Sequence, residues 1–214
     1  MAAPATPTFT TDELDRASAW LADGGVLVCP TESFYALAAD PRSPAAVDEV
    51  LRLKKRAHGH PLPLLAGDRP QVELAAPGWE SVDASRRLAD RFWPGPLALV
   101  LRGVRGFAPG AVGEDGSIAI RVSAHPLAAG LARRFGFPIT ATSANRSGAR
   151  PSVDPLEARQ SLPQSAILAV IDGGKVPGGA PSTIIDARSG TARILRAGAI
   201  GLDEIAGAGS GTRS

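Results

Sequence analysis

Helical and extended hydrophobic patterns alternate along the whole of this chain, which restricts the folds open to it. Apolar residues at helical spacing predict helices over 10–22, 81–92, 126–135 and 154–160. A further helix is predicted to follow Ser43, which would be its N-cap. The strand-like stretches between them are "VLVC", "HPLPLLAGD", "LALVLR", "SIAIRV", "PITAT", "AILAVI", "STIID" and "ARILR". We therefore predict one α/β domain over residues 1–205, followed by a flexible tail over 206–214.

Composition narrows the class of protein. The net charge of +2 is too small to argue for nucleic acid on electrostatics alone, and 44% hydrophobic residues are ordinary for a globular chain. The absence of a signal peptide and of an 18-residue apolar run predicts a cytoplasmic protein without membrane contact. A single cysteine, Cys29, excludes an internal disulfide and a multi-thiolate metal site, and its apolar setting predicts a buried strand residue.

Common phosphate-binding loops are missing from the sequence. Gly173-Gly174-Lys175 is followed by Val176, so it does not complete a P-loop, and no GxGxxG follows a strand. HExxH and GxSxG are absent as well. A nucleotide could therefore be bound only by some other arrangement.

Polar groups cluster where the predicted elements end. The buried face of the second helix, continued by one heptad from Val47, reaches Lys54, and an ammonium in such a place needs a partner. Lys54 and Arg56 at this helix end, with Ser143 and Asn145 after a strand, would supply two cations, a hydroxyl and an amide to a polyphosphate. A purely structural alternative treats the same residues as caps and turns.

Six ordered blocks carry a resemblance to a known family. "PTESFYALAAD", "KKRAHGHPL", "FWPGPLALVL", "IAIRVSAHPL", "TATSANRSG" and "STIIDARSGTARILRAGAI" resemble the YrdC-like threonylcarbamoyl-AMP synthase family over about residues 12 to 205. The resemblance implies a twisted open mixed sheet with flanking helices around a deep basic cleft. It also implies a nucleotidyltransferase that joins L-threonine, bicarbonate or CO2 and ATP, with Mg2+, and releases pyrophosphate.

The same resemblance implies the biological setting and the site residues. The product would pass to a tRNA-modifying transferase complex that acts on the adenosine beside the anticodon. The catalytic tetrad would be Lys54, Arg56, Ser143 and Asn145, and the sequence leaves open whether Mg2+ is held by protein side chains or only by phosphates. ATP would also contact His60, Ser117 and Arg196, whereas His58 would be solvated. Threonine or its carbamate would be surrounded by Thr31, Ser33, Arg121, Thr142 and Ser182, of which Arg121 suits a carboxylate.

The sequence departs from the family pattern at several positions. Ala36 and Ala38 stand where glycines are common, and their methyl groups are expected to narrow the threonine pocket. Leu65 replaces a histidine found in many members, and Lys55 adds a charge expected to be solvated. No second domain is expected after residue 205. A lid over the site, which such a domain supplies in longer members of the family, is therefore not expected either.

The sequence is also compatible with two other functions. One is an RNA-binding relative without synthase activity, whose basic groove would give weak tRNA binding. The other is a carbamoyl-transfer domain like that of hydrogenase maturation proteins, against which the single cysteine argues.

Overall fold

Two mixed β-sheets form the framework. The computed structural model describes residues 6–57, 59–189 and 191–209. The first sheet has the order β1-β9-β2-β3-β8 and the second the order β11-β10-β5-β6-β4-β7. The strands are β1 Thr8–Phe9, β2 Val26–Pro30, β3 Tyr35–Ala38, β4 Leu64–Ala66, β5 Leu97–Arg102, β6 Ser117–Val122, β7 Ile139–Thr140, β8 Thr142–Ser143, β9 Leu168–Ile171, β10 Thr183–Asp186 and β11 Arg193–Arg196.

Helices flank both sheets. They are α1 Leu14–Ala22, α2 Pro44–Lys54, α3 Arg69–Ala75, α4 Asp83–Phe92, α5 Pro126–Phe135, α6 Pro155–Gln160 and α7 Leu202–Gly209, with a short 3-10 turn at Trp79–Ser81. The α/β class with mixed sheets and flanking helices is therefore confirmed. The prediction of a single domain over residues 1–205 stays a prediction.

The stretch "PITAT", predicted as one strand, is divided between the two sheets. Thr140 pairs with Leu64 in the second sheet, whereas Thr142 pairs with Leu37 in the first. Ala141 lies between them, and its N–H donates to the carbonyl of Pro63 at 2.7 Å. The chain thus passes from one sheet to the other, and this crossing brings the Ser143 loop between them.

Strand β2 is buried on both faces, as its continuous apolar sequence requires. Val26 and Val28 pack with helix α2 in one apolar cluster, whereas Leu27 and Cys29 pack with α1 and α5 in another. Burial raises the pKa of the Cys29 thiol to about 12. The prediction that Cys29 is a buried strand residue is confirmed.

Several predicted boundaries are confirmed and others are corrected. Ser43 caps α2, since its hydroxyl accepts from the N–H of Ala46 at 3.3 Å, and α5 spans Pro126–Phe135 as predicted. Helix α1 begins at Leu14 rather than at residue 10, because the Glu13 carboxylate accepts from the Thr10 N–H at 2.9 Å and closes a separate turn. The predicted helix over 81–92 begins at Asp83, after the 3-10 turn. The expected tail from residue 206 begins inside α7, and residues 210–214 lie outside the described part.

Candidate functional site

A cavity of about 710 Å3 opens between the two sheets. The loop after β2, the end of α2 and the loop after β8 form one side, and strands β5, β6, β10 and β11 form the other. The structure brings all the predicted site residues to this cavity: Thr31, Ser33, Lys54, Arg56, His60, Ser117, Arg121, Thr142, Ser143, Asn145, Ser182 and Arg196. His58, expected to be solvated, lies outside the described residues.

Lys54 is the last residue of α2 and is only 4% exposed. Its Nζ donates to the carbonyl oxygens of Ser143 and of Asn145, the latter at 2.9 Å. The partner that a buried ammonium requires is therefore the backbone of the loop after β8 rather than a carboxylate. Burial, followed by the charge of Arg56, lowers the pKa of Lys54 to about 8.

The loop after β8 is closed by the side chain of Asn145. The Nδ2 group of Asn145 donates to the carbonyls of Arg146 at 2.9 Å and Ala149 at 2.6 Å, so both amide hydrogens are used inside the loop. The Ser147 N–H donates to the Lys54 carbonyl at 2.8 Å. The hydroxyl of Ser143 makes no hydrogen bond to the described residues and remains free for a ligand.

Three cations lie close together at this end of the cavity. Burial is the larger cause that lowers the pKa of Lys54 and of Arg196, and the charge of Arg56 lowers both further. Within the described part of the chain, no carboxylate contributes to the pKa of Lys54, Arg56 or Arg196. Arg196 and Arg56 are held by carbonyls, through Nη2 contacts to Ser182 at 2.6 Å and to His60 at 2.9 Å. Uncompensated cations this near one another favour an anionic ligand.

Arg121, on β6, also lines the cavity and forms an ion pair with Glu32. The second carboxylate oxygen of Glu32 accepts from the Ser123 hydroxyl at 3.0 Å. The Thr31 hydroxyl donates to the Phe34 carbonyl at 2.6 Å, so it supports the turn that carries Glu32. Arg121 is therefore already matched with one carboxylate in the protein.

Ala36 and Ala38 stand where the family commonly has glycines, and only Ala36 lines the cavity. Ala36 lines it and pairs with Ser143 across β3 and β8. Ala38, two residues further along the strand, is 1% exposed inside an apolar cluster, as is Leu65. The expectation that both methyl groups narrow the pocket is corrected to Ala36 alone.

Two other residues of the cavity, Asp186 and Arg188, were missed by sequence reasoning. Asp186 and Arg188 line it and form an ion pair at 2.7 Å, and Arg188 also pairs with Asp115 in the β5–β6 connection. Arg188 holds the pKa of Asp186 below its usual range. Through its two ion pairs, this arginine links the end of β10 to the β5–β6 connection. The hydroxyl of Tyr35 donates to the Gly174 carbonyl at 2.7 Å and accepts from Gly173 at 3.2 Å, which makes it an anchor for the β9–β10 connection.

The sequence itself matches a known family. Residues 19–198 match the Sua5/YciO/YrdC family, which carries the description "Telomere recombination". The chain is 40% identical over 191 residues to a threonylcarbamoyl-AMP synthase of Stenotrophomonas maltophilia strain K279a, covering 86% of this chain and 97% of that protein. It is 38% identical over 179 residues to the enzyme of the same name from Thiobacillus denitrificans, covering 84% and 92%.

Solved structures agree with the fold. Sua5 of P. abyssi complexed with L-threonine superposes with a TM-score of 0.85 at 29% identity, over 96% of this chain and 61% of that one. YciO of E. coli superposes with a TM-score of 0.80 over 94% of this chain, and at 24% identity it supports the fold alone. The chain spans about three fifths of the Sua5 protein but nearly the full length of the synthases. This chain belongs to the Sua5/YciO/YrdC family.

No helix in the described part of the chain is long and apolar enough to cross a membrane. The same residues contain no group of three or more His, Cys, Asp or Glu side chains that could hold a metal ion.

Proposed function

We propose that this chain is an L-threonylcarbamoyladenylate synthase, a nucleotidyltransferase that uses ATP, L-threonine and bicarbonate or CO2 and releases pyrophosphate. The observation that carries the proposal is the group of three cations, Lys54, Arg56 and Arg196, with no carboxylate partner among the described residues. Relatives named threonylcarbamoyl-AMP synthase over most of the chain support it, as does a Sua5 structure that contains L-threonine.

The triphosphate would lie at the end of the cavity formed by Lys54, Arg56, Ser143 and Arg196, with His60 and Ser117 also in contact. One cation about 4 Å from a phosphate oxygen contributes ~4 kcal/mol at an effective dielectric constant of about 20. The Ser143 hydroxyl would donate to a phosphate oxygen. Asn145 would act mainly by holding the loop, because its amide hydrogens are bound to carbonyls.

Threonine would lie at the Arg121 end, among Thr31, Ser33, Thr142 and Ser182. The carbamate oxygen of the threonine adduct would attack the α-phosphorus, and pyrophosphate would leave. Both reactants are anionic, so repulsion and alignment form the main barrier. The cavity lowers it by fixing both reactants side by side and by supplying positive charge.

Mg2+ would bind at this site only together with the nucleotide, through the phosphate oxygens. Within the described residues no carboxylate or histidine cluster could hold it, whereas neutral oxygens such as the Ser143 hydroxyl are available. Bound to the triphosphate, the ion would neutralise part of the phosphate charge. Lys54, Arg56 and Arg196 would hold the phosphate oxygens that remain.

The threonylcarbamoyl group would then pass to a transferase complex that modifies tRNA beside the anticodon. We place this work in the cytoplasm. The cavity, with its cations, would be the basic cleft implied by the family resemblance.

A single assay tests the proposal. The protein is incubated with ATP, labelled threonine and bicarbonate, and mass spectrometry is used to look for the labelled adenylate. Threonine-dependent release of pyrophosphate is expected. A chain that only bound RNA would release none, and its tRNA affinity would fall steeply with salt.

Neighbouring lysines provide matched variants for the same assay. Lys54→Gln removes the buried charge, whereas Lys55→Gln removes an exposed charge that does not line the cavity. We expect the first to reduce turnover by roughly 10³-fold, the equivalent of ~4 kcal/mol, and the second to leave it nearly unchanged. Similar activity of both variants would contradict the role given to Lys54.

A further inference from the structure

Asp186 and Arg193 line a part of the cavity to which no ligand group has yet been assigned. The two residues are direct partners across β10 and β11. On β10, Asp186 lies two residues beyond Ile184, whose partner on β11 is Arg196. At about 3.4 Å per residue, Asp186 lies ~7 Å along the strand from the position that faces Arg196. A group joined directly to a triphosphate held by Arg196 could therefore reach Asp186.

The charges around Asp186 are balanced, unlike those at the phosphate end. Asp115 and Asp186 both form ion pairs with Arg188, and Arg193 adds a second guanidinium close to Asp186. Two carboxylates therefore meet two guanidiniums. A neutral group of this kind has no excess charge to attract a second anion, so it suits an uncharged polar part of a ligand.

Asp186 is held rigidly and keeps one acceptor position open. Its Oδ1 accepts from the backbone N–H of Arg188 at 3.2 Å and from Nε of the same residue at 2.9 Å. Its Oδ2 accepts from Nη2 of Arg188 at 2.7 Å. Because a carboxylate oxygen has about two acceptor positions, Oδ1 is fully used and Oδ2 has one position left.

Arg193 places open donors beside this oxygen. Its side chain is 75% exposed, and its Nη2 lies 3.9 Å from Oδ2 of Asp186, which is beyond hydrogen-bonding distance. The side chain of Arg193 makes no hydrogen bond to the described residues. A hydroxyl lying between the two could donate to Oδ2 and accept from Nη2, whereas an ammonium could only donate and an ionised phosphate oxygen only accept.

The cavity wall next to this pair is apolar. Val100 is the direct partner of both Asp186 and Ala119 in the sheet, and Val100 and Ala119 line the cavity. Leu195, two residues along β11 from Arg193, also lines it and keeps 48% of its surface exposed. Such a wall can cover the carbon skeleton of a sugar or the face of a base.

We propose that Asp186 and Arg193 together bind a ribose hydroxyl of the nucleotide, with the base lying towards Leu195. This inference rests on the proposed function and deepens it: the site selects a ribonucleotide over a nucleotide whose sugar lacks hydroxyls. Arg188 is a positioning residue, because it acts on the ligand only through Asp186.

The unmutated protein gives the first test. Calorimetry with Mg2+ and without threonine compares ATP with 2′,3′-dideoxy-ATP, which has the same base and triphosphate. We expect ATP to bind at least about tenfold more tightly, since the lost hydroxyl leaves both a carboxylate and a guanidinium without a partner. Equal affinity for the two nucleotides would overturn the proposal.

The variant Arg193→Gln gives the second test. Its effect on folding should be small, because the Arg193 side chain is exposed. We expect the preference for ATP over the dideoxy nucleotide to fall from about tenfold to below about threefold. Arg102→Gln is the matched control, since it removes an exposed arginine of β5 that does not line the cavity, and it should keep the full preference.

The ratio of the two affinities separates hydroxyl binding from a general effect of charge. If Arg193 only added positive potential for the triphosphate, both nucleotides would weaken together and their ratio would stay unchanged. That result would overturn the proposal. Tight binding of ATP without regard to its hydroxyls would remove this inference alone, whereas failure to bind either nucleotide would remove the proposed function as well.

Discussion

Lys54 is a charged side chain that the fold removes from water without giving it a carboxylate. Its Nζ is held by two backbone carbonyls, and the helix that carries it ends at once, with Lys55 in the left-handed region at φ 51°. The same lysine thus joins helix α2 to the Ser143 loop and offers positive charge to the cavity. Loss of its proton is therefore expected to affect both the contact with the Ser143 loop and the charge of the cavity.

The pH dependence of stability follows from this burial. The pKa of Lys54 falls from its usual 10.5 to about 8 on folding, so between these values the unfolded chain binds more protons. Stability contributed by this residue therefore rises with pH across that window, by roughly 3 kcal/mol at 1.36 kcal/mol per pKa unit. Urea unfolding from pH 7 to 10.5 should show this rise in the difference between wild type and Lys54→Gln.

The difference between the two proteins is the quantity to measure. Burial also raises the pKa of Cys29 and of Tyr35 to about 12, and both acids make stability fall at high pH in either protein. Lys55→Gln, whose lysine is exposed, should follow the wild type throughout. A pH-independent difference between wild type and Lys54→Gln would show that Lys54 is not desolvated as described.

At the scale of elements, the connection from β11 to α7 lies directly against the chain that enters β10. A Cβ added at Gly198 would lie 2.2 Å from the Pro181 carbonyl oxygen and 2.6 Å from the Ser182 carbonyl carbon. The Ala199 N–H donates to the Pro181 carbonyl at 2.8 Å, which fixes this approach. The carbonyl of Ser182 in turn holds Arg196.

Gly198→Ala should therefore damage both stability and the site. Forcing these backbones apart is expected to cost about 1–3 kcal/mol and to weaken nucleotide binding by displacing Ser182 and Arg196. Gly201→Ala is the control, because its Cβ would meet only the Glu204 carboxylate at 3.4 Å. Urea unfolding and nucleotide titration measure the two effects, and equal results for both variants would be inconsistent with this close packing.

Elements with an unbroken hydrophobic pattern were predictable from the sequence, and those defined by distant partners were not. Helix α5 and strands β5 and β6 lie where periodicity predicts them. Strand β3 is not among the predicted strands, although all four of its residues are buried and it pairs with β2 and β8. Its alanines and tyrosine become strand residues only through partners far away in the chain.

The same reason limits what the sequence tells about the site. The predicted residues do meet at one cavity, because each lies at the end of an element with a recognisable pattern. The ion pair of Arg121 with Glu32 was not predicted, since its two residues are 89 positions apart in the chain. The partners of Lys54 and the closed loop of Asn145 likewise depend on the crossing of the chain between two sheets.

For the molecule as a whole, the cavity is the place that residues of both sheets line together. Lys54 and Ser143 belong to elements at the first sheet, whereas Arg121 and Arg196 belong to strands of the second, and Ser182 directly precedes β10 of that sheet. A nucleotide held by cations of both sheets would favour the folded arrangement of the whole chain. Binding should therefore appear as global stabilisation.

Thermal unfolding with a non-hydrolysable ATP analogue tests this expectation. At one hundred times its Kd, a ligand specific for the folded state adds about 2.7 kcal/mol, which for a chain of this size raises Tm by roughly 5–11 °C. Lys55→Gln should keep the shift and Lys54→Gln should lose most of it. If the cavity served RNA instead, the analogue would produce little shift, and tRNA would produce one that disappears as salt is added. Because the two hypotheses differ in which ligand stabilises the protein, the melting curves separate a nucleotide site from a phosphate-backbone groove.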